Sequence, residues 1–235
     1  MAVVIAVPAE TLAGERRFAL TPDVVKRLRQ SKAEVRLQTG GASQAHFRDS
    51  DYADTQFAAG TGDLYNGANV VLKVQPPSLQ EAAQLPQGSI LISFLSPGRQ
   101  PELAKVLRDR NITSLAMELV PRITRAQAMD ALSSQASVAG YQAALMAAQL
   151  CPKFFLLLTT AAGTIRPARA LVIGAGVAGL QAIATCRRLG AIVEAYDVRA
   201  AAKEQVESLG AKFVSAVSGA EGSGGYAREL TAEEK

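Results

Sequence analysis

Hydrophobic and polar positions alternate with two different periods along residues 1–120. Short apolar runs bounded by turn residues predict strands over Val3–Val7, Glu34–Gln38, Asn69–Val74, Ser89–Leu95 and Thr113–Met117. Between them, helical spacing predicts helices over Pro22–Arg29, behind Thr21 as N-cap, and over Pro101–Arg108. Strands that alternate with helices are typical of parallel βαβ units, in which the loops gather at the carboxyl ends of the strands.

The pattern changes at Thr124. Thr124 and Gln127 have the spacing of a capping box, threonine and glutamine three residues apart. They precede an alanine-rich run that we expect to form one helix as far as about Leu150, because Pro152 stops it. A single long helix after a complete set of βα units predicts a connector between two domains.

Beyond this helix, strands and helices alternate again. The pattern predicts strands over Ala170–Ile173, Ile192–Tyr196 and Lys212–Val214, and helices over Val177–Leu189 and Ala201–Leu209. The fold class is therefore α/β, with two Rossmann-like parallel-sheet domains joined by a long helix and the second domain incomplete. We expect an N-terminal domain over 1–125, a connecting helix over 126–160, and the first half of a nucleotide-binding domain over 161–235.

The order of strands in such a domain determines which strands lie beside Ala170–Ile173 in the sheet. In the doubly wound order 3-2-1-4-5-6, the strand Ala170–Ile173 is first in sequence but central in the sheet. We therefore expect its outer neighbour to come from residues beyond Lys235, in a chain that is truncated at its C-terminus.

The composition limits the classes of function. The chain is 49% hydrophobic and 20% charged, and its net charge of +4 contains no basic block, so nucleic acid is not an expected partner. Cys151 and Cys186 lack the spacing of metal ligands or of a disulfide framework, which predicts reduced core thiols, a cytoplasmic protein and no metal site. The longest apolar stretches fall short of the ~20 residues of a membrane helix, so we do not expect this chain to cross a membrane itself.

A glycine motif follows the strand Ala170–Ile173. Gly174, Gly176 and Gly179 form a G-x-G-x-x-G that opens the next helix, and Asp197 ends the following strand. The first glycine permits a tight turn, the second a close approach to a pyrophosphate, and the third close packing of helix and strand, while the acid accepts ribose hydroxyls. The sequence therefore predicts a dinucleotide site with these cofactor-binding residues: Gly174, Ala175, Gly176, Val177, Gly179, Asp197, Val198 and Arg199.

Two residues of this motif bear on the choice of cofactor. Asp197 favours NAD(H) over NADP(H), because a carboxylate repels a 2′-phosphate. Arg199 keeps the alternative open, since a guanidinium two residues further on can accept that phosphate. We predict NAD(H) as the cofactor of this chain.

Four segments resemble one family of proteins. The alpha subunits of NAD(P) transhydrogenases, which share their fold with alanine dehydrogenases, are similar to VPAETLAGERRFALTPDVV, MELVPRITRAQAMDALSSQASVAGY, TTAAGTIRPARALVIGAGVAGLQAIAT and RRLGAIVEAYDVRAAAKEQVESLGAKFV. The resemblance implies direct hydride transfer between NADH on this subunit and NADP(H) on a partner component, coupled to proton movement through a membrane-spanning component. It also implies a homodimer in the cytoplasm that is peripheral to the inner membrane through its partners.

The resemblance further implies where the nicotinamide half of the cofactor binds. It assigns catalytic roles to Arg122, Gln127, Asp130 and Ser133, and it places a loop with Gly225 and Tyr226 over the bound nucleotide. Gln127, Asp130 and Ser133 follow one another at intervals of three, so we expect them on one helical face that can bind a carboxamide and a ribose. The residues alone also allow a solvated face beside a helix cap. Residues 218–225 are rich in glycine and serine, which suits a hinge for the loop.

Alanine dehydrogenases are the nearest alternative. That family uses a histidine and a lysine on its substrate, and the matching positions here carry Ser96 and Gln75. Arg17 matches a substrate-binding arginine, but it cannot supply protons at neutral pH, and the single histidine, His46, lies in a polar loop where we expect it to be solvated. Hydride transfer between two nicotinamides needs close rings and excluded water rather than a general acid or base. The residues favour a transhydrogenase, with an alanine dehydrogenase-like enzyme and a truncated, non-catalytic NAD-binding module as alternatives.

Overall fold

The computed structural model describes residues 2–214 of the chain. The chain divides into two compact units, Met1–Pro121 and Arg122–Lys235, and each contains a parallel β-sheet whose strands alternate with helices. The α/β class expected from the sequence is confirmed. Within residues 2–214, none of the helices combines the length and the hydropathy that a membrane crossing requires.

In the first unit, the described residues form six strands and four α-helices in alternation. In chain order they are β1 (Val4–Val7), α1 (Pro22–Gln30), β2 (Glu34–Gln38), β3 (Gln56–Ala58), α2 (Thr61–Tyr65), β4 (Val70–Leu72), α3 (Leu79–Gln84), β5 (Ile90–Ser93), α4 (Pro101–Asp109) and β6 (Thr113–Ala116). The strands pair in parallel in the order β3-β2-β1-β4-β5-β6. The order reverses between β1 and β4, and ligands of open parallel sheets bind at such a reversal. The sequence pattern does not predict β3, α2 and α3, which are three, five and six residues long.

Strand β1 shows why an uninterrupted apolar run is needed at the centre of this sheet. Ile5 and Val7 pack into a buried cluster on one face of the sheet together with Leu37. Ala6 points to the other face and packs with Val71 and other buried residues. A strand that is covered on both faces has no position left for a polar side chain.

The second unit contains a long helix, a hairpin and, among the described residues, a three-stranded parallel sheet. In chain order its elements are α5 (Ala131–Leu150), β7 (Leu158–Thr160), β8 (Gly163–Ile165), β9 (Arg169–Ile173), α6 (Val177–Arg188), β10 (Ile192–Tyr196), α7 (Ala202–Ser208) and β11 (Lys212–Val214). β7 and β8 form an antiparallel hairpin, and the sheet has the order β11-β10-β9. This order agrees with the first half of a doubly wound sheet, as the sequence predicts.

The long helix α5 begins later than the sequence predicts. Thr124–Met129 is a separate 3₁₀ helix that starts without a side-chain cap bond. The expected capping box at Thr124 and Gln127 was therefore wrong. The carboxylate of Asp130 accepts a hydrogen bond from the backbone N–H of Ser133 at 2.9 Å, so Asp130 is the N-cap of α5.

Helix α5 also belongs to the second unit, where it packs against α6. The sequence pattern, in contrast, predicted a separate connector over 126–160. Gly140 permits the close approach, because a Cβ atom on it would lie 2.0 Å from the carbonyl oxygen of Ala178 on α6. The position of α6, the helix that follows the glycine motif, therefore depends on a residue of α5.

We expect Gly140→Ala to destabilise the second unit by about 1–3 kcal/mol, because the extra methyl group forces α5 and α6 apart. Hydrogen exchange should show faster exchange of the α6 amides, while the α4 amides in the first unit remain unchanged. Gly62→Ala is the matched control, since a Cβ at Gly62 in α2 meets nothing within 4 Å. Unchanged protection of α6 in Gly140→Ala would contradict the proposed role of this glycine.

Candidate functional site

The turn between β9 and α6 has a backbone that requires glycine at two of its positions. Gly174 has a φ of +92°, and its N–H donates to the carbonyl oxygen of Tyr196 at 2.7 Å. A Cβ atom on Gly179 would lie 1.7 Å from the carbonyl oxygen of Gly174, so a larger residue would push α6 away from the turn. Both glycines therefore serve the functions that the motif predicts for them.

The N-terminus of α6 is open to an anion. Its N-cap, Gly176, is exposed, and a Cβ there would meet nothing within 4 Å. The first turn carries no acidic residue, and Val177 at its start is 40% exposed. Unsatisfied N–H groups and the helix dipole together can hold a phosphate at such an end.

Asp197 connects this turn to the end of β10. Its Oδ2 accepts a hydrogen bond from the N–H of Ala175 at 2.7 Å, and its Oδ1 accepts one from the backbone N–H of Arg199 at 2.9 Å. The side chain of Arg199 also donates to both carboxylate oxygens, from Nε to Oδ1 and from a terminal nitrogen to Oδ2, at 2.9 Å each. Val198 between them is half-buried.

This pairing fixes the charge of Asp197. The side-chain hydrogen bonds from Arg199, together with the backbone donors and against the effect of burial, lower the pKa of Asp197 to about 2. The carboxylate is therefore ionised at neutral pH and forms an ion pair with Arg199. Ribose hydroxyls that bind Asp197 have to share its oxygens with Arg199 or displace the guanidinium.

A second polar cluster surrounds the N-cap of α5. Ser133 donates from its N–H to Oδ1 of Asp130 at 2.9 Å and from its hydroxyl to Oδ2 at 2.6 Å. Nε of Arg122 lies 3.9 Å from Oδ2 of the same carboxylate. Hydrogen bonds from Ser133, with a smaller contribution from the charge of Arg122, lower the pKa of Asp130. The structure thus brings together three of the four residues that the resemblance assigns to the nicotinamide.

The fourth residue, Gln127, is placed differently from the prediction. Gln127 is exposed and lies in the 3₁₀ helix, Asp130 is the N-cap, and Ser133 lies in the first turn of α5. The expected common helical face of Gln127, Asp130 and Ser133 was therefore wrong, because the α-helix begins only after Asp130. The carbonyl of Gln127 accepts the N–H of Asp130 at 3.2 Å, so the two residues remain neighbours through the backbone.

Both halves of the chain match models of a known protein family. A family model described as the alanine dehydrogenase/PNT N-terminal domain matches residues 6–139, and one described as the C-terminal domain matches residues 143–233. The chain belongs to the alanine dehydrogenase/PNT family. The family model of the C-terminal domain includes the glycine turn and Asp197, and that of the N-terminal domain includes Arg122, Asp130 and Ser133.

Relatives from both branches of the alanine dehydrogenase/PNT family are similar to the chain. NAD(P) transhydrogenase subunit alpha of Cereibacter sphaeroides is 43% identical over 236 residues, which are 97% of this chain and 45% of the relative. Alanine dehydrogenase of Bacillus subtilis is 30% identical over 213 residues, 88% of this chain and 55% of the relative. The crystal structure of transhydrogenase from Sinorhizobium meliloti superposes with a TM-score of 0.87 at 43% identity, over 90% of this chain and 64% of that structure. The chain thus spans less than two thirds of each of these proteins.

Gln75 and Ser96, the positions where the resemblance to alanine dehydrogenases leads one to expect a lysine and a histidine, lie in the first unit. Gln75 donates from its side-chain amide to Glu15 at 2.6 Å, and Glu15 is in turn paired with Arg17 at 2.6 Å. Ser96 has a φ of +47°, and its N–H donates to the carboxylate of Glu118. Glu15 was not predicted as part of any site from the sequence, since Gln75 is 60 residues away and only the pairing of β1 with β4 brings them together.

Three further residues that the sequence singles out are His46, Gly225 and Tyr226. His46 is exposed, as expected, and its Nε2 lies 2.8 Å from a guanidinium nitrogen of Arg16. Gly225 and Tyr226 lie outside the described residues. Within residues 2–214, no group of three or more His, Cys, Asp or Glu side chains is arranged to hold a metal ion.

Proposed function

We propose that the chain is the NAD(H)-binding portion of a proton-translocating NAD(P) transhydrogenase. The observation that carries the proposal is the turn between β9 and α6, where Gly174 and Gly179 bring the helix N-terminus against an ionised Asp197. The transhydrogenase relatives support it, since they are more similar to the chain than the alanine dehydrogenases are. The activity that this implies is direct hydride transfer between NADH on this chain and NADP⁺ on a partner component.

The residues of the second unit fit a dinucleotide. The open N-terminus of α6 at Gly176 would hold the pyrophosphate, beside Ala175 and Val177. Asp197 would accept the ribose hydroxyls, with Val198 and Arg199 lining the same end of β10. A 2′-phosphate would meet the negative charge of Asp197, which favours NAD(H). When bound, the cofactor supplies or accepts the hydride.

The nicotinamide half would lie against the cluster at the start of α5. Asp130 is ionised and fixed by two hydrogen bonds from Ser133, so it can hold Arg122 in a constant position. Gln127 is exposed beside it and can bind a carboxamide. None of these groups has to release or take up a proton, because the reaction moves only a hydride. Their function would be to orient the ring and, with the loop that carries Gly225 and Tyr226, to exclude water.

The proposal extends to partners and location. The chain would act with an NADP(H)-binding component and a membrane-spanning component, as a homodimer in the cytoplasm and peripheral to the inner membrane. An alanine dehydrogenase is the less favoured alternative. Gln75 and Ser96 occupy the positions where that activity needs a lysine and a histidine, and Gln75 is engaged by Glu15.

We expect the purified protein, mixed with an NADP-binding transhydrogenase component, to transfer hydride from NADH to an NADP analogue bound on that component. With pyruvate and ammonia it should not oxidise NADH, because the first unit lacks the acid–base pair for an imino acid. The NADP analogue is one whose reduced form absorbs at a wavelength distinct from that of NADH, so absorbance measures both reactions, and the NADP-binding component alone is the control. Robust amination of pyruvate without hydride transfer would overturn the proposed function in favour of an amino-acid dehydrogenase.

A further inference from the structure

Basic side chains that are scattered along the sequence gather at one edge of the second unit. This edge is formed by the amino ends of β9, β10 and β11, at the opposite end of these strands from the glycine turn. We call it the basic edge. Its exposed cations are Lys153, Arg166, Arg169, Arg187, Arg188 and Lys212. The proposed nucleotide site uses none of these residues.

The fold explains why these cations meet. Arg169 and Lys212 are the first residues of β9 and β11, and both reach Glu194 on the strand between them, at 3.0 and 3.8 Å. Helix α6 connects two parallel strands, so it runs antiparallel to them and ends beside the amino end of β10. The last turn of α6 therefore brings Arg187 and Arg188 to the same edge.

An apolar loop lies beside the cations. In the segment that follows α5, the carbonyl oxygen of Phe154 accepts a hydrogen bond from the N–H of Ala168, just before β9, at 2.9 Å. Leu156 lies against Gly190, since a Cβ atom added to this glycine would be 2.7 Å from Cα of Leu156. Phe154 is 54% exposed, Leu156 46% and Leu157 59%. An aromatic ring and two leucines thus stand in solvent at the basic edge.

Few carboxylates balance the charge of the basic edge. Glu194 is shared by two of the cations. Glu207, near the end of α7, lies 3.9 Å from Lys203 of its own helix. Within residues 2–214, four of the cations form no ion pair, namely Lys153, Arg166, Arg187 and Arg188. The basic edge therefore carries a net positive charge.

The combination of cations and exposed apolar side chains indicates the chemistry of the partner. A second copy of the chain is disfavoured, because it would bring like charges together. A nucleic-acid duplex offers phosphates but no apolar surface for leucine side chains. The surface of a membrane offers both, with anionic headgroups for arginine and lysine and the boundary of the acyl chains for an aromatic ring and leucines.

We propose that the basic edge is a docking surface for a membrane that contains anionic phospholipids. The cations bind the headgroups, and Phe154 and Leu157 enter the interface. Each basic residue near such a surface strengthens binding by about fivefold. The five-residue strand β9 separates the edge from the glycine turn by about 16 Å, so docking leaves the nucleotide site facing away from the lipid. This contact goes beyond the proposed function, in which partner components hold the chain at the membrane.

Sedimentation with lipid vesicles tests the docking surface. The full chain should bind vesicles of phosphatidylcholine with about 30% phosphatidylglycerol, but not phosphatidylcholine alone, and added salt should weaken the binding. Arg187→Gln/Arg188→Gln should weaken binding by at least about tenfold, because two charges are lost. Lys26→Gln/Arg27→Gln is the matched control, since it removes an adjacent, exposed basic pair from α1 of the first unit. The control should bind like the parent.

A fluorescent reporter tests the apolar part of the surface. The chain contains no tryptophan, so a single substitution gives a local signal. The emission of Phe154→Trp should shift to shorter wavelength on the anionic vesicles and should be quenched by brominated acyl chains. Ile173→Trp reports on the opposite end of β9, where Ile173 is 77% exposed, and its emission should change in neither experiment.

A second charge variant keeps the test decisive if Arg187→Gln/Arg188→Gln folds poorly. Lys153→Gln/Arg166→Gln changes residues outside helices and strands, and it should weaken binding to the same extent. Equal binding to vesicles without phosphatidylglycerol, equal losses in the control pair, or an unchanged emission of Phe154→Trp would each overturn the proposal. So would self-association of the parent that Phe154→Ser abolishes, because it would assign the edge to a second copy. The vesicles carry no nucleotide, so the outcome does not depend on the proposed transhydrogenase function.

Discussion

Asp130→Ala should slow hydride transfer by about 100-fold, while NADH affinity changes by only a few-fold. The ionised carboxylate of Asp130 fixes the hydroxyl of Ser133 and holds Arg122, and a small misplacement of a reacting ring can cost about two orders of magnitude in rate. Most of the binding energy should come from the pyrophosphate and adenosine contacts at the turn after β9, which this change does not touch. Single-turnover kinetics measure the transfer rate, and equilibrium titration measures the affinity.

The N-cap role of Asp130 requires a control for helix stability. Asp130→Asn keeps a good N-cap residue but removes the charge that holds Arg122, so we expect it to preserve α5 and still to slow the transfer. Gln127→Ala tests the neighbouring segment and leaves the N-cap of α5 in place. It too should reduce the rate of hydride transfer more than the affinity for NADH. Unchanged transfer rates in Asp130→Ala and Gln127→Ala would leave this segment with a structural role only.

Asp197→Ala should weaken NADH binding by about 1.5–3 kcal/mol, the scale of charge-assisted hydrogen bonds that are lost to a ribose. NADPH binding should weaken less, or even improve. In the parent, the fork of Arg199 is held by both oxygens of Asp197, and the substitution releases that fork for a 2′-phosphate while it removes the repelling charge.

Calorimetric titration of both nucleotides checks the expected change of preference at Asp197. Glu194→Ala is a suitable control, because Glu194 is a carboxylate on the same strand β10 that pairs with Arg169 and not with the glycine turn. Equal losses of NADH and NADPH affinity in Asp197→Ala would show that this carboxylate does not face the ribose.

The elements around the glycine motif are those that the sequence predicts best. The predicted strands Ile192–Tyr196 and Lys212–Val214 have the observed bounds, and the predicted helix Val177–Leu189 ends one residue later than α6. Apolar runs with glycines at their ends carry a strong local signal there, because the turn geometry itself requires those glycines. The expected order of strands came from the doubly wound arrangement that the glycine motif indicates, and the observed order β11-β10-β9 agrees with it.

The start of α5 shows where local patterns are not sufficient. The sequence pattern placed the helix start at Thr124 and Gln127, which have the spacing of a capping box. The structure instead starts the α-helix at Asp130, whose carboxylate receives two hydrogen bonds from Ser133. A charged N-cap is also favoured by the helix dipole, which the pattern of apolar residues does not express.

Specific side-chain pairs were the other feature that the sequence could not predict. Glu15 and Gln75 meet only because β1 and β4 are neighbours in the sheet. The hydrogen bonds from Arg199 to Asp197 depend on the backbone turn after β10, so the sequence indicated both residues but not their pairing. In each case the residue types were visible and their contacts required the fold.

Helix α5 carries no charged side chain along its 20 residues, and only the last turn of α6 is basic, at Arg187 and Arg188. Dissolved ions screen charges and leave close packing of small residues nearly untouched. Moderate changes of ionic strength should therefore leave the packing of α6 against α5 unaltered. The salt dependence of nucleotide affinity would then measure the electrostatic attraction between the phosphates and the N-terminus of α6, separately from any loosening of the scaffold that supports it.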